Sequence, residues 1–350
     1  MSRVKDLRKE FPPSPAVKEI IGEDSKGQRI DNFLIKRLKN VPKSHIYQLL
    51  RSGQVRINSK RAAPDYHLQS GDTVRIPPVR MAEKSVPPLK KLSKPGFIAF
   101  QVLFEDDALI AVNKPPGVAV HGGSGISFGV IEQLRAQHPD WRFLELVHRL
   151  DRETSGVLLL AKNRPALVEL HRQLRVGEVE KHYLTLVKGR WRNARQSVRL
   201  SLRKYLTPAG ERRVAVEKGA DEKKGGDEKK GGMSAHTVFI LRKSWQSFSL
   251  LEAELKTGRT HQIRVHLAYL GFPIAGDDKY GNFALNKDIA RRVPGLGRMF
   301  LHAWAVEFTH PVTHEKLRLE APLPDDLQKF LDAMDSHDKP PKLPVERTFS

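Results

Sequence analysis

The stretch best equipped for chemistry is a dense polar segment, LVHRLDRETSG, at residues 146–156, directly before the apolar run of residues 157–160. A rigid scaffold commonly presents reactive groups on a polar loop that opens onto a buried strand. Within this loop Asp151 lies between Arg149 and Arg152. A carboxylate beside guanidinium groups stays ionised at neutral pH, so it can act as a nucleophile or a base. An ion pair that only closes a turn explains the same pattern, and these residues alone leave both interpretations open.

The sequence of 350 residues lacks the usual signatures of cofactor and metal sites. It contains no cysteine, which excludes disulfides, thiolate metal sites and a cysteine nucleophile. It contains no G-x-x-x-x-G-K-[ST] phosphate loop, no G-x-G-x-x-G after a strand and no H-E-x-x-H. His261 and His266 are five residues apart, a spacing that would not direct both rings to one metal ion from one helix side. We therefore expect a reaction that uses no cofactor and no metal ion.

Several stretches of the chain resemble one family of RNA-modifying enzymes. The segment HRLDRETSGVLLLAK is similar to the catalytic motif of the RluA-type family of pseudouridine synthases. Further segments resemble the family's other motifs and follow its order along the chain: VNKPPGVAVHGG at 112–123, KHYLTLVKG at 181–189, LKTGRTHQIRVHLAYLGFPIAGDDKYG at 255–281 and MFLHAWAVEFTHP at 299–311. The resemblance implies an isomerase that converts uridine in RNA to pseudouridine without redox chemistry or energy input.

The resemblance also implies a role for four residues. Asp151 matches the family's essential aspartate, and Arg264 matches the arginine that keeps this carboxylate ionised. Tyr183 matches the tyrosine that stacks on the uracil and relays a proton from ring carbon five. Arg149 matches the arginine that fills the gap when the target base leaves its stack. A helix-surface arginine and a core aromatic are the structural alternatives for Arg264 and Tyr183, and whether Asp151 attacks the base, attacks the sugar or promotes an elimination stays open.

A small basic unit is predicted at residues 27–78, ahead of these motifs. Apolar residues recur there at helical spacing, a second short helix follows Pro42, and short alternating strands end the unit. The segments GQRIDNFL, PKSHIYQLLRSGQVRIN and LQSGDTVRIP resemble the RNA-binding domain first described in ribosomal small-subunit protein four. We expect structured RNA to contact basic residues on one side of this unit: Arg29, Lys43, Arg51, Arg56, Lys60 and Arg61.

The rest of the domain map follows from composition. Proline and lysine in residues 79–100 indicate a linker, and the near-repeat of DEKKGG at 218–232 predicts a disordered loop. Residues 334–350 are predicted to form a flexible tail. Between them, residues 101–333 contain more predicted strands than helices, and the strands often follow one another directly. This order favours an α+β catalytic domain with a mixed, largely antiparallel sheet.

The charge of the chain points to a polyanionic partner. The net charge is +21, and residues 1–94 contain 21 Lys and Arg against nine Asp and Glu. With the two resemblances, this predicts large-subunit ribosomal RNA, or its precursor particle, as the partner. The sequence has no long apolar run and no secretory signal, so we expect a cytoplasmic protein without membrane attachment. We expect a monomer, because RNA supplies the partner surface.

Two other functions remain open. A protein that only binds RNA or assists ribosome assembly would use the same basic unit, but such a protein has no need of a carboxylate that faces a polyanion. Asp151, Tyr183 and Arg264 together therefore favour an enzyme. The other alternative is a family member that modifies a different ribosomal helix or a transfer RNA, which only substrate mapping can distinguish.

Overall fold

The computed structural model describes residues 16–38, 41–79, 98–122, 128–208, 210–217, 232–281, 286 and 296–337. The chain divides into two compact units, Met1–Gly96 and Phe97–Ser350. The predicted disordered loop at 218–232, apart from Gly232, lies outside the described residues. So do most of the predicted linker and the chain beyond residue 337. Within the described part of the chain, no helix is long and apolar enough to span a membrane.

The front unit is a four-stranded antiparallel sheet packed against two helices. Its elements are β1 (Val17–Ile20), α1 (Ile30–Arg37), α2 (Lys43–Arg51), β2 (Arg56–Ile57), β3 (Lys60–Arg61) and β4 (Thr73–Ile76), and the strand order is β1-β4-β2-β3. Leu34, Ile46 and Val74 are fully buried between the sheet and the helices. The predicted start at residue 27 is too late, because β1 pairs along β4 from Val17↔Ile76 to Ile20↔Thr73. This strand is mostly exposed, so its sequence has no clear apolar alternation.

The second unit is built on one sheet of eleven strands. These are β5 (Gln101–Glu105), β6 (Leu109–Lys114), β7 (Glu145–Leu146), β8 (Ser155–Ala161), β9 (Glu180–Lys188), β10 (Arg195–Leu206), β11 (Arg212–Val216), β12 (Met233–Ser244), β13 (Phe248–Leu255), β14 (Leu301–Thr309) and β15 (Lys316–Glu320). The main order is β11-β10-β12-β13-β9-β14-β8-β6-β5, with β15 on β14 and β7 on β8. Of these pairings only β8–β14 is parallel. The predicted α+β fold with a mixed, largely antiparallel sheet is confirmed.

Four helices accompany this sheet in the described residues: α3 (Val130–Gln137), α4 (Arg164–Val176), α5 (Gln262–Tyr269) and α6 (Asp325–His337). Helix α4 begins as the sequence predicts, since the Asn163 side chain accepts a hydrogen bond from the Ala166 amide at 2.9 Å. The predicted flexible tail starts too early, because α6 continues to His337. Met334 is buried in a cluster with Leu327 and Phe330, and this burial holds the last turns of the helix in place.

Strand β14 lies between β9, which contains Tyr183, and β8, which follows the reactive segment. Ala303 of β14 lies opposite Tyr183 of β9 on one side and opposite Gly156 of β8 on the other. Gly156 has φ 112, and a Cβ there would overlap the Ala303 carbonyl oxygen. Only glycine allows this close parallel approach. The result is that Tyr183 lies one strand away from the start of β8, which directly follows the loop containing Asp151.

Candidate active site

Asp151 lies where two neighbouring cavities meet. The cavities have volumes of about 630 and 580 Å³, and Arg149, Asp151, His261 and Arg264 line both of them. The Asp151 side chain is 26% exposed, so its carboxylate can be reached from either cavity. Concave sites with a few converging polar groups are the usual places for small-molecule or nucleotide chemistry.

The cation that neutralises Asp151 is Arg264 of α5. Its Nη1 donates to Asp151 Oδ2 at 3.1 Å, and the Arg264 side chain is only 6% exposed. The alternative of a helix-surface arginine is therefore excluded. The two arginines that flank Asp151 in sequence do not take this role. Arg152 instead donates to the Gly117 carbonyl at 2.9 Å.

Asp277 anchors the other side of the Arg264 guanidinium. Arg264 Nε and Nη2 donate to the two Asp277 oxygens at 2.8 and 2.7 Å, and the amides of Lys279 and Tyr280 also donate to Asp277. Burial alone would lower the pKa of Arg264, but the hydrogen bonds and charge of Asp277, followed by those of Asp151, raise it. Likewise, burial would raise the pKa of Asp277, but Arg264 lowers it. The guanidinium is thus a permanent cation in fixed geometry.

His261 and Tyr280 complete the surroundings of the carboxylate. His261 precedes α5 with φ 54, a left-handed conformation that is uncommon for a residue with a side chain. Its Nδ1 is 2.8 Å from the Tyr280 hydroxyl, which also accepts the Val214 amide at 2.9 Å. His261 Nε2 lies 3.8 Å from Asp151 Oδ1.

Tyr183 extends from β9 into the larger of the two cavities. It is 6% exposed and also belongs to the main hydrophobic core, so both interpretations of this residue from the sequence describe part of its environment. Burial, and after it the charge of Asp151, raises the pKa of the Tyr183 phenol. The phenol is therefore neutral at physiological pH and can donate a hydrogen bond towards a bound base.

Arg149 is exposed at the edge of both cavities, two residues before Asp151. Among the described residues no carboxylate forms an ion pair with it. Its planar guanidinium is free to stack on a base or to contact a phosphate. The structure therefore brings together Asp151, Arg264, Tyr183 and Arg149, the four residues to which the sequence assigned a role in the reaction.

Lys114 and His148 hold the surrounding loops. Lys114 is fully buried, and its Nζ donates to the carbonyls of Pro115, Val118 and Arg152 at 2.8, 2.8 and 3.0 Å. Burial lowers the pKa of Lys114 to about 7. His148 Nε2 accepts the Leu159 amide at 3.2 Å, and burial lowers the pKa of His148 to about 4. His148 is therefore neutral and fixes the loop against β8.

Thr154 and Ser155 add further hydrogen bonds around this loop. The Thr154 amide donates to the Asp151 carbonyl at 3.2 Å. Ser155 Oγ is 2.9 Å from His302 Nδ1 and accepts a hydrogen bond from Arg298 at 3.1 Å. This serine and histidine are fully buried, so they serve the scaffold and offer no accessible nucleophile.

Three potential metal ligands, His182, Glu252 and Glu254, lie close together in the sheet. Protein cations already occupy both carboxylates: Arg242 Nε donates to Glu252 at 2.7 Å and Arg195 Nη2 to Glu254 at 2.9 Å. His182 Nδ1 is 2.7 Å from Glu252. We therefore interpret the group as an ion-pair network, because its negative charge is already neutralised.

The basic residues predicted to bind RNA in the front unit come from helix α2, from the two short strands and from the start of α1, and their contact with RNA stays a prediction. Arg56 lies opposite Arg61 and Arg75 in register, on the exposed face of the sheet. Lys60 lies opposite the buried Ile57 and therefore belongs to the helix-packed side. Lys43 and Arg51 are exposed on α2, whereas Arg29 donates to Asp31 at 2.7 Å. Successive side chains of a strand point to opposite faces of the sheet. Lys60 and Arg61, which are adjacent in β3, therefore leave the strand on opposite faces.

Comparisons with known proteins agree with this arrangement. The family model described as RNA pseudouridylate synthase matches residues 108–269, and the S4 domain model matches residues 28–74. Two relatives are named ribosomal large subunit pseudouridine synthase C. The protein of Pasteurella multocida (strain Pm70) is 50% identical over 316 residues, covering 90% of this chain and 92% of the relative. The protein of Escherichia coli (strain K12) is 49% identical over 323 residues, covering 92% and 98%.

Solved structures are similar as well. Human RNA pseudouridylate synthase domain containing 4 has a TM-score of 0.52 and 25% identity, covering 67% of this chain and 92% of its own. Human RNA pseudouridylate synthase domain containing 1 has a TM-score of 0.51 and 26% identity, covering 65% and 84%. The fold and the matched domains define an enzyme that isomerises uridine in RNA. The chain belongs to the RluA-type family of RNA pseudouridine synthases and has an RNA-binding S4 domain at its front.

Proposed function

We propose that this enzyme isomerises specific uridines in large-subunit ribosomal RNA, the 23S molecule or its precursor particle. Two observations support this substrate: the relatives that align over most of the chain carry it in their names, and an S4 domain precedes the catalytic unit. The observation that carries the chemistry is the Asp151 carboxylate, which is shared by two cavities and held by the buried Arg264.

The isomerisation breaks the bond from base N1 to ribose C1′ and forms a bond from base C5 to C1′. The C5 proton must leave and N1 must gain one, so atoms and electrons balance without an external reagent. Asp151 is the group we propose to start this exchange, by attack on the base, attack on the sugar or proton removal. Arg264 holds the carboxylate through a charged hydrogen bond and fixes its orientation. Tyr183 is proposed to face the uracil, where its neutral phenol can donate a hydrogen bond and relay the C5 proton.

Arg149 is proposed to assist extrusion of the target base. A uridine inside folded RNA must leave its stack before it can reach Asp151. Arg149 is exposed beside the cavities and has no carboxylate partner among the described residues. Its guanidinium can therefore occupy the space that the base leaves and stack against the neighbouring bases.

Pseudouridine mapping tests the substrate. We expect total RNA from cells without the gene to lose pseudouridine at a small number of large-subunit sites, and the purified enzyme to restore them. Loss confined to transfer RNA, or an unchanged pattern, would contradict the proposed substrate.

A second experiment tests base extrusion. Arg149→Ala should slow modification of folded RNA far more than that of a short unpaired RNA with the same sequence. Arg142→Ala is the matched control, since Arg142 is an exposed arginine that lines neither cavity. Equal losses on the two substrates would show that Arg149 does not act through extrusion.

A further inference from the structure

One wall of the larger cavity comes from α4 and β9 and contains cations that the chemistry above does not use. His171 and Arg175 are four residues apart on α4, so they lie on the same side of the helix. Lys181 is two residues before Tyr183 on β9, so both side chains leave the same face of the strand. The wall therefore presents basic groups to the cavity that Asp151 and Tyr183 also line.

The charges in this cavity are unbalanced. Asp151 is the single carboxylate among its lining residues, and Arg264 already donates to it. Within the described parts of the chain, Arg175 and Lys181 have no hydrogen-bond or ion-pair partner. Arg172, on the same helix but not in the cavity, pairs with Glu169 at 2.8 Å and Glu178 at 2.7 Å. Glu169 on the helix and Glu178 just beyond its end thus pair with an arginine outside the cavity, and neither pairs with the basic groups inside it.

Burial of Lys181 makes the excess of positive charge in this cavity energetically unfavourable. Lys181 is partly buried, and this burial lowers the pKa of its ammonium group. The pKa of His148 is lowered mainly by burial and next by the positive charge of Lys181. Lys181 therefore acts electrostatically on the loop that contains Asp151. An ammonium group withdrawn from water without a partner is unfavourable, and an anion in the cavity would relieve this cost.

We propose that Arg175 and Lys181, with His171 beside them, form a subsite for a phosphodiester of the RNA backbone next to the target uridine. This inference rests on the proposed function, because it requires RNA in the Asp151 cavity. Lysine binds phosphate as a point charge, and arginine binds it through a planar pair of donors. A phosphate held here fixes the position of the nucleotide while its base faces Asp151 and Tyr183. The subsite thus selects the register of the strand.

The test pairs a charge change in the enzyme with a charge change in the RNA. The variants are Lys181→Gln and Arg175→Gln. The control is Lys188→Gln, because Lys188 is exposed on β9, points to the opposite face and has no carboxylate partner among the described residues. The substrates are one large-subunit RNA fragment that wild-type enzyme modifies, prepared fully charged or with a single phosphate near the target neutralised as a methylphosphonate. Single-turnover kcat/KM is measured for each combination.

We expect both variants to lose about tenfold in kcat/KM on the charged RNA, and Lys188→Gln to stay within about twofold of wild type. One methylphosphonate position should cost wild-type enzyme a similar factor and cost the two variants nothing further. Lys181→Arg should retain most of the coupling, because it keeps the charge.

The outcomes separate the two proposals. If wild-type enzyme modifies no large-subunit RNA, the proposed substrate fails. If wild-type enzyme does modify it, but every methylphosphonate lowers kcat/KM by the same factor in the variants as in wild type, the phosphate subsite is wrong. Loss of activity in Lys188→Gln equal to that in Lys181→Gln would also overturn it, since the effect would then be one of net charge.

Discussion

At the residue scale, the site is a short chain of alternating charges that runs from the buried Asp277 through Arg264 to the partly exposed Asp151. Asp277 is buried and holds two nitrogens of Arg264, whose third nitrogen holds Asp151. The cation is thereby fixed before RNA binds, and it orients the carboxylate that we propose to react. Such preorganised charge is usually the largest contribution of a protein to a polar reaction.

The first prediction concerns Asp151 itself. Asp151→Asn and Asp151→Ala should abolish isomerisation and keep RNA binding, because an amide or a methyl group cannot act as nucleophile or base. Release of tritium from ring-labelled uridine measures the reaction, and filter retention of the same RNA measures binding. Turnover near wild type in either variant would remove Asp151 from the reaction.

The second prediction concerns the anchor of Arg264. Asp277→Asn removes the buried charged partner of Arg264 and leaves only the partly exposed Asp151 in direct hydrogen-bond contact with the guanidinium; breaking a buried pair costs up to roughly 3–5 kcal/mol in the free energy of unfolding. We also expect kcat to fall, since Arg264 can move away from Asp151. Denaturant unfolding and single-turnover rates measure the two effects.

Asp278→Asn is the matched control for this prediction. Asp278 is the next residue and lies 3.9 Å from Arg264, but its side chain is 89% exposed. Exposed ion pairs contribute about 0–1 kcal/mol, so this variant should resemble wild type. Equal destabilisation by the two substitutions would contradict the anchoring role of Asp277.

The third prediction links a buried histidine to acid sensitivity. His266 is fully buried, neither ring nitrogen has a hydrogen-bond partner in the described structure, and burial lowers its pKa to about 4. Between this value and the ordinary pKa of about 6.5, the unfolded chain binds the proton and the folded chain does not. Stability is therefore fully present above pH 6.5 and is lost as the pH falls towards 4.

His266→Leu should remove this contribution without breaking a hydrogen bond. Between pH 7.5 and 5 the wild-type protein should lose about 2 kcal/mol more of its unfolding free energy than the variant does. Denaturant titrations at the two pH values measure the difference. His314→Asn, at an exposed turn with φ 61 that asparagine tolerates, should keep the wild-type pH dependence. Identical pH slopes for wild type and His266→Leu would contradict the linkage.

The family motifs pointed to the residues proposed to react, but the contacts that hold these residues in place appear only in the fold. Asp151, Tyr183 and Arg264 were named from family resemblance, and they line one cavity; their roles in the reaction stay predictions. Asp277 was missed because no spacing rule connects it with Arg264. The contact depends on the path of the chain between the end of α5 and Asp277. The buried position of Lys114 and its hydrogen bonds to three carbonyls do not follow from the sequence, because a lysine at a strand end usually indicates a solvated surface.

At the scale of elements, β14 decides where the site forms, since it lies between β9 and β8. Gly156→Ala tests this role and is the fourth prediction. The added methyl group would overlap the Ala303 carbonyl, and φ 112 is unfavourable for alanine. We expect a loss of at least about 2–3 kcal/mol in unfolding free energy, together with reduced activity. Thermal unfolding and tritium release measure these effects.

Gly177→Ala is the control for Gly156→Ala. Gly177 also has a positive φ of 82, but nothing lies within 4 Å of a Cβ built there. The cost should therefore be that of backbone strain alone, about 1 kcal/mol, with activity retained. If the two alanine variants are equally stable and equally active, close packing at the β8–β14 junction is not what requires glycine at 156.

The elements that apolar periodicity marks most strongly were predictable, and the polar ones were not. The central strands β6, β8 and β9 carry long buried runs, which mark them clearly in the sequence. Strand β10 was missed, although Val198, Leu200 and Leu202 alternate with exposed residues and could have revealed it. The spacing of Leu327, Phe330 and Met334 likewise predicts α6, which was placed partly in the tail.

At the scale of the whole molecule, the distribution of charged residues indicated which part of the chain binds RNA. The uneven charge of the chain predicted an RNA-binding front, and the S4 match at residues 28–74 agrees with it. The count of basic residues could not reveal how they are arranged. In the structure Arg56, Arg61 and Arg75 form a row across the exposed face of the front sheet, and cross-strand register alone determines this row.

The last prediction removes the front unit. Deletion of residues 1–96 takes away 21 Lys and Arg and nine Asp and Glu, but no residue that lines the two cavities. Because phosphate contacts dominate affinity for RNA, the truncated enzyme should bind ribosomal RNA more weakly. Its salt dependence should also be shallower, by about 0.7 in the slope of log affinity against log salt for each lost contact to single-stranded RNA.

The truncated enzyme should still isomerise uridine at high enzyme concentration, since its catalytic groups are intact. Backbone contacts fix the register of a protein on RNA, so their loss should also permit modification at additional uridines. Binding measured across a salt series, followed by pseudouridine mapping of the same RNA, tests both expectations. If affinity, salt slope and modified sites all match those of the full chain, the front unit does not guide substrate choice. The basic excess of residues 1–94 would then serve a different contact, whereas a weaker binder that modifies new sites would establish the front unit as the source of selectivity.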